Sequence, residues 1–299
     1  MTELSPLDAT YIAARRVLLD ALIALADHDH AVIVAGAQAI YLRTGNADLT
    51  ITVAPFTTDG DLALDPRSLG DDPELETAMA GANFELRPQD NGHIEPGVWT
   101  GVTWVGGQCF EIPIDLIVPE AVAPKGGRRG ARLGVHGNRA ARRAVGLEAA
   151  LVDHGPIEIA ALEGGDDRRV IANVAGEAAL LVAKMHKLHD RVASGRSDRL
   201  DDKDAADVIR LMQATSPRTV GTRIAGLCGD GLAGTVSTEA VGYLEELFGR
   251  RGRVGIQMAA SALRLGLPED RVEALSVAYT SVLVEVVRSE TSQSPMDDS

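Results

Sequence analysis

Cysteine is almost missing from this chain. Cys109 and Cys228 are the only two in 299 residues, and no CxxC pair occurs. Neither a disulfide framework nor a cysteine-ligated zinc site is therefore expected. Aromatic residues make up only 3% of the sequence. Ala, Gly, Leu and Val dominate instead, a composition suited to helices and tightly packed α/β layers. Basic residues are outnumbered, 29 Lys and Arg against 43 Asp and Glu, for a formal net charge of −14. That balance excludes a protein-wide cationic footprint for nucleic acid, while leaving room for a local one. No apolar run approaches the roughly 18 residues that a bilayer-spanning helix needs. The opening MTELSPLDAT carries neither the basic nor the apolar segment of a secretory signal. A cytoplasmic protein with no membrane partner is the expectation. SETSQSPMDDS (289–299) lacks a core-forming pattern and reads as a disordered tail.

What is present centres on TTDGDLALD (57–65). On a strand, residues i and i+2 share a face, so Asp59 and Asp61 would project together beside the apolar Leu62-Ala63-Leu64. Two carboxylates on one face repel each other unless a cation lies between them. Mg²⁺, or Mn²⁺ in its place, suits an oxygen-only site that also takes waters and phosphates. Upstream, Ser5-Pro6 opens a helix that the apolar spacing carries to about Asp27. His28-Asp29-His30 is either a ligand cluster or the polar turn before the next strand. AVIVAG (31–36) is a buried strand ending in glycine, and AQAIYLRTG (37–45) is a helix. Strand, Gly36 and helix N-terminus in that order form a place where backbone N–H groups can take phosphate.

Downstream, strands are predicted at 83–88, 98–105 and 109–119, with a helix from Pro73. In CFEIPIDLIVP an acid enters an apolar strand, which is costly unless it is paired or metal-bound. Asp115 is the favoured third carboxylate, and Glu111 on the same face is its competitor. Residues 125–143 carry Lys125, Arg128, Arg129, Arg132, Arg139, Arg142 and Arg143 without an acid. They read as a loop that touches phosphates of NTP or RNA, as a solvated surface, or as a partner for the protein's own acids. Residues 144–153 read as helix, and 156–162 and 169–173 as strands. From about 174 onward the pattern is helical throughout. Lys184 follows the run AALLVA, so its stem is buried and its ammonium needs an anion. Asp204 and Asp207 on the next helix, or a triphosphate, would supply it.

The order V-A-G-A, D-x-D-L and a later strand acid resembles the polymerase-beta-like nucleotidyltransferase superfamily. A-K-M-H-K-L-H-D-R followed by D-K-D-A-A-D-V (202–208) narrows the resemblance to AbiEii-type nucleotidyltransferases. That group includes toxins of type IV toxin–antitoxin pairs. The resemblance covers roughly residues 10–215. It departs from the pattern at Ala37, where a second small polar residue is usual, with Gln38 as a partial substitute.

The resemblance implies an α+β nucleotidyltransferase fold, a mixed β-sheet with packed helices, over residues 1–170. A C-terminal helical bundle (171–288) follows. It implies transfer of a nucleoside monophosphate from an NTP to an acceptor hydroxyl on a tRNA 3′ end or a protein. Asp59, Asp61 and Asp115 would be metal ligands, with Asp115 as base. Lys184 and Asp207 would act at the active site. Gly36, Ala37, Gln38, Lys184, Lys203 and Asp204 would contact or support the nucleotide. A cognate antitoxin is the implied protein partner, and the basic segment the implied tRNA contact. A nucleotide-binding regulatory protein keeping the same fold is the alternative.

Overall fold

The computed structural model describes residues 6–45, 57–89, 92–123, 129–195 and 202–293. The chain divides into two compact units. One comprises Met1–Leu42 with Ala54–Ala175, the other Arg43–Val53 with Gly176–Ser299. The class is α+β, with a mixed sheet in the first unit and helices in the second.

The first unit opens with α1 (Pro6–Ala24), β1 (Val32–Ala35), α2 (Gly36–Thr44) and β2 (Gly60–Leu64). α3 (Leu75–Gly81), β3 (Glu85–Pro88), β4 (Ile94–Val105) and β5 (Gln108–Pro119) follow. β6 (Arg142–Ala144), β7 (His154–Ala160) and β8 (Arg169–Ala175) complete it. The sheet order is β3-β4-β5-β2-β1-β8-β7, with β6 paired to β5. β2 runs parallel to β5 and antiparallel to β1, and β1 runs parallel to β8. β1 is buried along its whole length, as the apolar run VIVA requires of an inner strand.

α1 lays Ala13, Ala14, Val17, Leu18, Ala21 and Leu22 into the core, packing on β4 and β5. The approach is close enough that a Cβ on Gly60 would stand 2.7 Å from Ile114 Cδ1 and 3.6 Å from Leu18 Cδ1. Gly60 therefore faces α1. By strand alternation Asp61, its neighbour, faces the other way. The missing side chain lets the apolar layer close beneath the acids.

β5 organises the unit. Its first part pairs with β4 as far as Val98↔Asp115, and from Ile117 the same flank is taken by β6 through Ile117↔Arg142. Asp115 thus sits where one neighbour ends and another begins.

Several sequence expectations are corrected. Residues 144–153 form only a 3₁₀ turn at Glu148–Leu151. The buried Glu148 carboxylate there accepts Ala121 N (3.1 Å) and Gly146 N (2.7 Å), which favours a turn over a continuous helix. His28-Asp29-His30, by contrast, is the polar turn of the two readings, a 3₁₀ turn ahead of β1. His28 Nε2 pairs with Pro73 O at 2.8 Å, so that imidazole is structural. The end of the 125–143 segment is strand, because β6 completes β5.

The second unit holds α4 (Glu177–Ala193), α5 (Asp202–Ala214), α6 (Pro217–Cys228), α7 (Gly234–Phe248), α8 (Val254–Leu263) and α9 (Glu269–Gln293). α4 packs on α7, α5 on α8 and α6 on α9. Leu180, Leu188, Val208, Leu211, Ile224, Leu244, Phe248 and Leu283 are among the buried residues. Ser216 caps α6, accepting Thr219 N, with Pro217 in the first turn. The unit division falls at Ala175 rather than near 170, because β8 continues to that residue. α9 runs through 289–293, where the composition suggests a tail. The hydroxyls of Thr291 and Ser292 bond the carbonyls of Val287 (2.8 Å) and Arg288 (2.7 Å). Polar residues there satisfy themselves locally and the helix persists. Gly45, at the end of α2, belongs to this second unit, its carbonyl taken by Arg210 Nη2 at 3.1 Å.

Gly60→Ala is expected to cost about 1–3 kcal/mol through overpacking. In an Ile114→Val background, which removes the opposing methyl, the loss should shrink. Urea denaturation of the four proteins measures this, and an equal loss in both backgrounds would contradict the close approach.

Candidate active site

Asp61 is positioned by the sheet. Its register partners are Ala35 on β1 and Asp115 on β5. The two acids therefore stand at one level on adjacent strands, whose backbones run about 4.8 Å apart. On the other side of Asp61 is Gly36, the first residue of α2, with φ +64°. A Cβ at Gly36 would lie 1.9 Å from Asp61 Oδ2. Only glycine admits the acid here, on steric and conformational grounds alike. The positive end of the α2 dipole accordingly meets a carboxylate.

Asp59 is one residue ahead of β2, not within it. The Thr57 hydroxyl donates to Asp59 Oδ1 (2.9 Å) and to its carbonyl (3.0 Å). Asp59 lines a cleft of about 340 Å³ together with Asp115, Glu95, Arg87, Arg129 and Arg142. The structure thus pairs Asp61 with Asp115, and Asp59 with Asp115. Among the described residues no group of three or more His, Cys, Asp or Glu is arranged to hold a metal ion. The Asp115 carboxylate is engaged elsewhere: Arg142 Nη2 donates to Asp115 Oδ2 at 2.5 Å. Burial alone would weaken the hold of Arg142 on its proton. Asp115, Asp61 and Glu95 together outweigh that, and the guanidinium is held above its ordinary value. Glu111, the competitor of Asp115, is exposed on β5.

Gln38 is 1% exposed, and Arg15 Nε donates to its Oε1 at 3.1 Å. Arg15 is itself buried, also reaching Ala160 O (3.2 Å) and Tyr11 Oη (3.0 Å). Gln38 Nε2 is buried without a hydrogen-bond partner. The side chain is packed within the first unit. Ala37 is half-buried at the start of α2, which leaves Gly36 and backbone N–H groups for an anion.

In the helical unit Lys184 is 5% exposed, and its Nζ lies 2.6 Å from both Asp204 Oδ1 and Asp207 Oδ2. Lys187 Nζ reaches Asp204 at 3.2 Å, and Arg191 pairs with it too. The protein's own acids thus supply Lys184 with an anion. Lys203 is half-buried on α5. Burial opposes the charge on Lys184, but the two carboxylates override it and its pKa rises. Burial likewise opposes the charge on Asp204, but three cations override it and its pKa falls. Asp207 is raised, because burial exceeds what Lys184 returns.

Three arginines of the basic segment are spent internally. Arg139 pairs with Glu76 (2.8 Å), Arg142 with Asp115, and Arg143 Nε with Glu120 (3.0 Å). Lys125 and Arg128 lie outside the described residues. Arg87 and Arg129 are exposed on the cleft and have no ion-pair partner among the described residues. Sequence alone does not mark Glu95 and Arg87 as cleft residues. Neither stands in a motif, and only the pairing of β3 and β4 with β5 brings them in. Comparison with protein-family models, with curated proteins and with solved structures finds no match in any of the three.

Lys184→Met is expected to destabilise by about 3–5 kcal/mol, since it strands buried carboxylates. Thermal and urea unfolding would read this, and a loss under about 1 kcal/mol would contradict the buried pairing. The pH dependence has a definite sign. The stabilisation from Asp204, with its lowered value, is present above 3.8 and lost as pH falls through the folded value. That from Lys184 is present below 10.5 and lost as pH rises through its raised value. Asp207 runs the other way, charging at a cost as pH rises from 3.8.

Proposed function

We propose that the protein is a metal-dependent nucleotidyltransferase, moving a nucleoside monophosphate from an NTP to an acceptor hydroxyl with release of pyrophosphate. The observation that carries this reading is Asp61, set between Asp115 on β5 and Gly36 at the α2 N-terminus. Acids and an anion-binding helix end then adjoin one another, as a metal-bound triphosphate requires.

The donor set fits a divalent cation: Asp61 and Asp115 are register partners on adjacent strands, and Asp59 lines the same cleft as Asp115. Arg142 holds Asp115 in this structure and would have to move for the ion to enter. Asp59, Asp61 and Asp115 would hold Mg²⁺ or Mn²⁺, which neutralises charge developing on the triphosphate. The N–H groups opening α2 bind phosphate oxygens. Asp115, once released from Arg142, takes the proton of the acceptor hydroxyl and orients its oxygen for attack. Lys184, committed to Asp204 and Asp207, supports the helices. Arg87 and Arg129 offer exposed positive charge to a phosphate-bearing acceptor, which favours RNA, such as a tRNA 3′ end, over a protein hydroxyl. The AbiEii-type resemblance extends the proposal to a toxin with a cognate antitoxin, working in the cytoplasm.

A regulatory nucleotide-binding role is the second reading. It is favoured by Ala37, by the buried Gln38 and by the engagement of Asp115 with Arg142.

Incubation with α-labelled NTPs, Mg²⁺ and either total tRNA or protein extract separates these readings. Label on an acceptor that falls about a hundredfold or more with Asp61→Asn supports transfer. Nucleotide binding without turnover supports the regulatory role. Labelled nucleoside mono- or diphosphate with no labelled acceptor identifies a hydrolase. Expression in a bacterial host should arrest growth for the unaltered protein and not for Asp61→Asn if the toxin role holds.

A further inference from the structure

The pairing of Arg142 with Asp115 places a fixed cation where the proposed reaction needs a mobile one. Arg142 opens β6, and its backbone is held on two sides, by Ile117 on β5 and by a bridge to Gly130. The backbone that carries the guanidinium is thus fixed beside the cleft. Its side chain is 31% exposed and that of Asp115 is 21% exposed, so the pair is open enough to part. Glu95 and Asp59 line the same cleft, giving the guanidinium other carboxylates close by. Arg143 is tied to Glu120 and does not compete.

A divalent ion entering between Asp61 and Asp115 meets this positive charge directly. Repulsion between them opposes entry of the ion. A triphosphate reverses the sign. It brings about four negative charges, and a guanidinium binds phosphate oxygens as readily as a carboxylate, in the same forked geometry.

We propose that Arg142 is a transferable counter-ion: it holds Asp115 in the free protein and passes to the nucleotide phosphates when metal and NTP bind. Metal and nucleotide then bind cooperatively, because each removes an obstacle to the other. The metal needs the nucleotide to draw Arg142 away, and the nucleotide needs the metal to occupy the acids. This rests on the nucleotidyltransferase reading.

The test uses the full chain, with Mn²⁺ followed by its electron paramagnetic resonance signal. Binding is measured for Mn²⁺ alone and with a non-transferable α,β-methylene NTP, after subtracting Mn²⁺ held by the analogue without protein. In the unaltered protein the analogue should tighten Mn²⁺ binding by about tenfold or more. Arg142→Gln should bind Mn²⁺ alone about tenfold more tightly than the unaltered protein, and lose most of the coupling. Arg142→Lys should keep it. Equal affinity with and without the analogue in the unaltered protein overturns the proposal whether or not the variants fold. So does a folded Arg142→Gln that binds Mn²⁺ alone no better. In those cases Mn²⁺ binding that Asp61→Asn abolishes leaves the nucleotidyltransferase reading standing. No Mn²⁺ bound under any condition overturns both.

Discussion

Two carboxylates held at one level on adjacent parallel strands cannot be left to themselves. Asp61 and Asp115 are fixed there by backbone pairing, so the sheet cannot relax their repulsion by moving them apart. It is offset instead from the flanks. The N-terminus of α2 lies against Asp61, and the Arg142 guanidinium against Asp115. Each needs a particular local arrangement. Gly36 must lack a side chain, and β6 must begin where β4 stops pairing with β5. Gly60, turned toward α1, lets the apolar layer close beneath the acids. The polar site and the tight core are two faces of the same strand.

The acids are legible in the order of residues. Alternation along GDLAL and CFEIPIDLIVP places Asp61 and Asp115 on strands, and an acid among apolar neighbours marks itself by its cost. Gly36 is legible too, as glycine ending an apolar strand. Register is not. Nothing in the order of residues says that Asp61 stands opposite Asp115, or that Asp59 falls just outside the strand. The pairing that places them depends on contacts across more than fifty residues.

Charge pairing is legible only where the partners sit on consecutive helices. Lys184 after an apolar run, with Asp204 and Asp207 on the next helix, announces a buried cluster by helical spacing alone. The arginines at 139–143 look like an outward-facing stretch because their partners, Glu76, Asp115 and Glu120, are distant in sequence or belong to another strand. Gln38 misleads for a related reason. Near a helix start it looks available to a ligand, but helical geometry turns it inward to Arg15, a buried cation that no local pattern advertises. Long-range polar contacts escape a sequence reading because they carry no periodicity.

The last residues of α2 belong to the helical unit, although the helix begins beside the carboxylates of the sheet. The chain thus enters the first unit, crosses into the second, returns, and leaves for good only after β8. Neither unit corresponds to an uninterrupted stretch of gene. A truncation at residue 175 would deprive the helical fragment of Thr44 and Gly45, the groups that Arg210 holds, and proteolysis or domain shuffling would meet the same indivisibility.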